Sequence, residues 1–146
     1  MANGADIELL VKMRLVFLEA DESNAGYSRI KENCGGYFQK ALREETCDVV
    51  LAEENGACVG TGIVFYYDSV PSVSNPTGKN AYITSIYVAK EYRRRGVGRT
   101  IVTMLQEKAR ERGYAILMLN ASEMGRHMYE KMGFSEIHNG MILRLE

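Results

Sequence analysis

The chain reads as one α/β domain. Apolar residues recur at helical spacing in well-separated stretches, and runs of β-branched and aromatic residues lie between them. The two kinds of segment alternate through the second half of the chain with no linker, repeat or low-complexity tract between them. At 146 residues, 46% hydrophobic and 25% charged, the chain has the size of a single domain with one sizeable core and lies well away from the disordered regime.

Residues 6–19, DIELLVKMRLVFLE, place Ile7, Leu10, Val11, Leu15 and Leu18 on one helical face, with Asp6 as the N-cap. DESNAGYSRIKENCGG breaks that pattern with polar residues and glycines, and YFQKALREE then predicts a short second helix ending near Glu45. CDVVLAEENGACVGTGIVFYY predicts two strands joined at Asn55-Gly56, a dipeptide suited to the positive φ angles of a tight hairpin. DSVPSVSNPTGKN contains both prolines and predicts an irregular connection, long enough to be functional. AYITSIYVA follows as a central strand.

From Gly98 to Arg112 the residues Ile101, Val102, Leu105 and Ala109 form an apolar stripe, closed by Gly113. YAILMLN predicts a short strand buried on both faces. SEMGRHMYEKMG predicts a helix capped by Ser122 and stopped by Gly133, and FSEIHNGMILRLE two last strands about Asn139-Gly140. The predicted order is two helices, two strands, then strand, helix, strand, helix, and a closing pair of strands.

The charge balance, 18 basic against 19 acidic residues, gives the whole molecule no field that would draw nucleic acid or an anionic membrane. Three cysteines, Cys34, Cys47 and Cys58, are odd in number and lack CxxC spacing, which predicts reduced, mostly buried thiols and no metal site. No apolar run approaches the roughly 20 residues of a membrane span. MANGADIELL lacks the order of a signal peptide, so the expected compartment is the cytoplasm.

EYRRRGVGRT, residues 91–100, concentrates charge where a helix begins. A helix start presents unpaired amides and the positive end of a dipole. Gly96 and Gly98 let the backbone approach a ligand closely, and Arg93, Arg94, Arg95 and Arg99 can neutralise a polyphosphate. GxGxxG would need glycine at position 101, which is Ile101, and GxxxxGK[ST] is absent, so dinucleotide and Walker-type sites do not fit. On charges and glycines alone, a solvated run, turn punctuation and an RNA patch stay open.

Taken with the strand before it and MYEKMGF after it, this segment resembles the Gcn5-related N-acetyltransferase (GNAT) family. Arg93-Arg94-Arg95-Gly96-Val97-Gly98 satisfies that family's acetyl-CoA signature, and Tyr129, Gly133 and Phe134 match its tyrosine motif. The resemblance spans roughly residues 6–146 and is strongest from Ala81 to Phe134. It implies the acyl-CoA acyltransferase fold, a mixed, mostly antiparallel central sheet flanked by helices, with the first strand missing or vestigial. The exposed edge this would leave near Val49–Glu53 suggests shielding by the C-terminal segment or by a second copy in a homodimer.

The resemblance also implies site residues. The amides from Arg94 to Thr100, including Val97 and Arg99, cradle the diphosphate of coenzyme A. The strand bulges so that Ile86, Tyr87 and Val88 line the pantetheine arm, which Asn120 contacts, with Ser122 and Arg126 nearby. Tyr129 is the acid that protonates the leaving thiolate, its ordinary pKa near 10 lying close to a thiol's roughly 8.5 to 9; without the motif it reads as a core aromatic. The amide of Val88 is the oxyanion donor. AYITSIYV offers only Thr84, Ser85 and tyrosines where relatives carry a glutamate, leaving water as the candidate base. His127 and His138 are the only histidines, and His127, beside Arg126 on the last helix, reads as solvated or as lining the acceptor cleft. Glu44, Glu45 and Asp48 are candidates to bind a cationic amine, and Tyr66, Tyr67 and Tyr82 to line its cleft. The implied activity is acetyl transfer from acetyl-CoA, without a metal, to an amine on a small molecule or peptide. The rivals are a non-catalytic acyl-CoA sensor on the same fold and, third, a nucleic-acid module.

Overall fold

The computed structural model describes residues 1–137 and 140–145. Four strands make one sheet in chain order: β1 (Cys47–Glu54), β2 (Ala57–Asp68), β3 (Lys79–Val88) and β4 (Leu117–Leu119). The first three are antiparallel, and β4 runs parallel to β3 over only Ala81 to Ile83. Asn55 and Gly56 take φ of 51° and 77°, the left-handed pair that a two-residue hairpin requires.

Helices cover both faces. Strand side chains alternate, so Val49 and Ile63 face α1 (Ile7–Phe17) and α2 (Tyr27–Arg43), packing with Leu10, Leu15 and Phe38. Val50, Val64, Ala81 and Ile83 face the other way, against Ile101, Val102 and Leu105 of α3 (Val97–Glu111) and Tyr129 of α4 (Glu123–Lys131). Leu105 is wholly buried, which alone is worth about 2–3 kcal/mol.

Several expectations change. The second helix begins at Tyr27, ten residues before the predicted start at Tyr37, and continues through Gly35 and Gly36. Tyr27, Ile30, Cys34, Phe38 and Ala41 form its inner stripe, and their burial outweighs the roughly 1 kcal/mol that each helical glycine costs. Asp6 does not cap α1; its carboxylate accepts from the Asn3 amide at 2.8 Å in a capping box on the preceding 3-10 turn. Of the thiols, all free, only Cys47 is buried, and burial with the adjacent Asp48 charge pushes it up to about 11.

β4 is half-buried rather than buried on both faces, because it is three residues long and its outer edge carries no partner strand among the described residues. Residues 134–137 and 140–145 form no strand, and Asn139 of the expected closing turn lies outside the described residues, as does His138. At the opposite edge the N-terminal segment reaches β1 where the C-terminal segment or a second copy was expected: the Ala2 amide donates to the Val49 carbonyl at 2.9 Å, a one-bond vestige of a first strand. No described helix is long and apolar enough to cross a membrane.

One polar cluster ties α3 to the sheet. Arg112 grips Asp48 with Nε and Nη2 at 2.6 and 3.1 Å, and the Tyr66 hydroxyl donates to the same carboxylate at 2.7 Å. Burial pushes the Asp48 carboxyl up, yet the bonds from Arg112 and Tyr66, with the charges of Arg112 and Lys108, outweigh it and hold the group below the usual carboxylate range. A depressed folded pKa gives stability that is present above the unfolded value near 3.9 and lost as pH falls through the folded one. Arg112→Met should therefore lower the unfolding free energy at pH 7 by about 2 kcal/mol, between the costs for exposed and buried pairs. The gap from the parent protein should close on acidification. Urea unfolding of Arg112→Met, Asp48→Asn and the double variant reads the coupling, and additive costs would show that the pair contributes nothing jointly.

Candidate active site

The arginine-glycine segment bends into the start of α3. Arg94 and Gly96 take φ of 62° and 84°, and the added Cβ at Gly96 would meet nothing within 4 Å. A Cβ added at Gly98, in the first turn, would stand at ordinary contact distance from Val88 and Met128. A helix start leaves the amides of Val97, Gly98 and Arg99 without intrahelical acceptors. Thr100 departs from expectation: its amide and hydroxyl both donate to the Gly96 carbonyl, at 3.0 and 3.1 Å, so it closes the first turn and its amide is not part of an open cradle.

The arginines divide. Arg93 turns back, its Nε donating to the Val88 carbonyl at 2.9 Å, and Arg95 lies over the Tyr92 ring at 5.5 Å. These two brace the loop. Arg94 and Arg99 are exposed and enter no ion pair among the described residues, so they remain available to an anion.

The strand before the loop bulges. Its register with β2 shifts between Thr61 and Ile63, so that Ser85 and Ile86 stand opposite Gly62 alone, and Ser85 takes φ of 55°. The Ala89 amide donates to Val59 on β2; successive amides face opposite edges, so those of Ile86 and Val88 point toward the β4 side while Tyr87 points toward β2. β4 pairs no further than Ile83, and the two strands leave a wedge beyond it.

Beside the wedge lies a cavity of about 580 Å³ lined by Tyr82, Asn120, Ala121, Arg126 and Tyr129 among others. Asn120 is exposed at the end of β4, and Ser122, which caps α4, accepts from the Gly125 amide at 3.1 Å. Arg126 is ion-paired with Glu136. Tyr129 is both a core residue, 7% exposed, and part of the cavity wall, its ring set edge-on to Phe134 at 5.8 Å. A Cβ at Gly125 would stand 2.9 Å from that ring, so the glycine leaves room for it. Burial raises the phenol above its ordinary value and keeps its proton in place at neutral pH.

The candidate amine-binding residues are not brought together. Asp48 is bound by Arg112 and Tyr66, and Glu44 pairs with Arg43. Tyr66 stacks on Tyr114 at 4.5 Å, away from Tyr67 and Tyr82, which flank Phe65 on the other face. His127 is exposed. Among the described residues no group of acidic, histidine and cysteine side chains could hold a metal ion. One residue near the bulge was missed: Arg14 of α1, whose Nη1 donates to Ser85 Oγ at 2.6 Å. Its signal is an arginine four residues after Leu10 and three after Val11, inside the apolar stripe.

Comparison with known proteins gives a consistent picture. The model of the acetyltransferase (GNAT) family matches residues 12–134. The thialysine N-epsilon-acetyltransferases of Sus scrofa and Bos taurus are 29% and 30% identical over 89 residues, covering 58% of this chain and 49% of each relative. The chain thus spans about half the length of the curated relatives it matches. A predicted acetyltransferase from Clostridium acetobutylicum, solved with acetyl-CoA, superposes with a TM-score of 0.87 at 30% identity, over 98% of this chain and 92% of that one. A GCN5-related N-acetyltransferase from Ralstonia eutropha gives 0.84 at 26%, over 98% and 95%.

The raised Tyr129 phenol is directly measurable. In ultraviolet difference titration of the parent protein against Tyr129→Phe, the extra phenolate should appear only above the ordinary value near 10. Ionisation at or below that value would mean the ring is hydrated.

Proposed function

The chain belongs to the acetyltransferase (GNAT) family, and on that premise we propose that it is an N-acetyltransferase, moving an acetyl group from acetyl-CoA to a primary amine of a small molecule or peptide within a ternary complex. The observation that carries the reading is the wedge itself. One bulge turns two amides of β3 toward a gap that has open helix-start amides nearby and a buried tyrosine in the wall of the adjoining cavity.

These residues fit the cofactor. The amides of Val97, Gly98 and Arg99, with the unpaired Arg94 and Arg99 side chains and the open space at Gly96, suit a diphosphate. Arg93 and Arg95 serve this cradle by bracing its loop. The amides of Ile86 and Val88 line the wedge that the pantetheine arm would enter, Ile86 suiting an amide group of the arm as an added strand would and Val88 the thioester carbonyl, with Tyr87 bonded away from them and Asn120 at the end of β4. Ser122 and Arg126, one capping α4 and the other ion-paired, border that arm.

When bound, acetyl-CoA supplies an acetyl group activated as a thioester; the chain supplies position and protons. The Val88 amide is the donor we assign to the oxyanion. Tyr129 holds a proton at its hydroxyl for the departing sulfur, and its raised pKa keeps that proton available throughout the neutral range. Thr84 and Ser85 are not bases at neutral pH, and Ser85 Oγ is engaged with Arg14, which leaves water to take the amine proton.

Two substitutions test the reading. Gly96→Glu puts a carboxylate into the anion cradle and a side chain onto a φ of 84°; acetyl-CoA affinity by calorimetry should fall about 100-fold or more. Retained affinity would move the cradle elsewhere. Tyr129→Phe should lower thiol-release turnover about 100-fold while the acetyl-CoA dissociation constant stays within about twofold. Unchanged turnover across pH would remove Tyr129 as the acid.

A further inference from the structure

Arg14 occupies a position where the helical pattern calls for an apolar side chain. Leu10, Val11, Met13 and Leu15 around it are buried, and its guanidinium reaches the sheet to bond Ser85, the positive-φ residue of the bulge, which is 1% exposed. The Phe17 ring lies 5.3 Å from its Cζ, and the exposed Tyr37 of α2 is near enough for its phenol to feel the guanidinium charge.

A guanidinium has five N–H donors, and among the described residues Arg14 places one hydrogen bond and enters no ion pair. Half-burying a cation without an anion is unfavourable. The contrast within this chain is direct. Arg112, which holds α3 to the sheet, is gripped by both oxygens of Asp48, whereas Arg14, beside the wedge, is given a neutral hydroxyl and one ring.

Its position also matters. α3 begins on one face of the sheet, and a cofactor whose diphosphate lies there enters the wedge from that face. Arg14 stands on the other, the α1–α2 face, where its guanidinium meets Ser85 of the bulge.

We infer that Arg14 binds an anionic group on the acceptor, so that the substrate is a small amine that also carries a carboxylate or a phosphate, and not a polyamine. The inference rests on the acetyltransferase reading and deepens it. A carboxylate or phosphate matches the planar donor fork of arginine and supplies the missing counter-charge.

Matched pairs of acceptors test this on the unmodified protein, with acetyl-CoA and thiol release as the readout: L-lysine against cadaverine for the carboxylate, glucosamine 6-phosphate against glucosamine for the phosphate, and spermidine as the polyamine. The anionic member of one pair should have kcat/KM about 30-fold above its neutral or cationic partner, the scale of one charge-assisted bidentate contact, and the favoured pair identifies which anion. In Arg14→Gln that ratio should collapse toward one through KM, and Arg14→Lys should restore part of it. Equal kcat/KM within both pairs, or a preference for spermidine, would overturn the inference while leaving the acetyltransferase reading standing. No acetyl-CoA binding and no thiol release with any amine would overturn both.

Discussion

Gly62 is the position on which the rest of the molecule turns. It faces the bulge of β3, and a Cβ there would stand 2.4 Å from Ile101 Cγ2 and 2.7 Å from Ile86 Cδ1. Only a residue without a side chain lets α3 lie against the sheet while the opposite strand carries an extra residue. With α3 so placed, the arginine-glycine loop is carried to the end of β3, where Arg93 donates to the Val88 carbonyl. The same extra residue shifts the phase of β3, turning the amides of Ile86 and Val88 toward the gap beyond β4 and the Ser85 side chain toward α1. Wedge, helix start and Arg14 contact therefore share one steric cause.

The charges follow from where that packing leaves space. At the α3 C-terminus, where the interior is closed, Arg112 is neutralised by Asp48 and its bond to Tyr66, with the Tyr66–Tyr114 stack completing the seal. At the opposite end of α3 the arginines are distributed between bracing and availability: Arg93 and Arg95 hold the loop, and Arg94 and Arg99 face outward. A buried pair costs desolvation and repays it only with close geometry, which explains why the interior arginine has a carboxylate and the loop arginines do not. Arg14 belongs to neither pattern: half-buried, it meets a hydroxyl and a ring.

Much of this was legible in the residues. Asn55-Gly56 marked the hairpin, Ser122 and Gly133 bounded α4, and the stripe from Ile101 to Ala109 set the buried face of α3. Two signals were present and not read. Tyr27, Ile30, Cys34, Phe38 and Ala41 step by three and four, a helical stripe obscured by the Gly35-Gly36 pair inside it. In β3 the apolar positions run Ala81, Ile83, then Ile86 and Val88, a change from odd to even numbers that is the mark of a bulge. The closing strands were read from a second Asn-Gly pair, Asn139-Gly140, and among the described residues 134–137 and 140–145 form no strand.

The sequence by itself determined much of the local chemistry: the buried stripe of α3, the bounds of α4, where glycine permits a left-handed turn, and which short motifs carry clustered arginines and a tyrosine. These depend on spacing between near neighbours, which the chain states openly. Only the tertiary structure decided what each charged or polar group faces. Asp48 and Arg112 are 64 residues apart and Arg14 and Ser85 are 71 apart, and neither pairing has a local signature. Whether an arginine meets a carboxylate, a carbonyl or open space depends on packing across the sheet, and a side chain's availability to a ligand is a property of that packing.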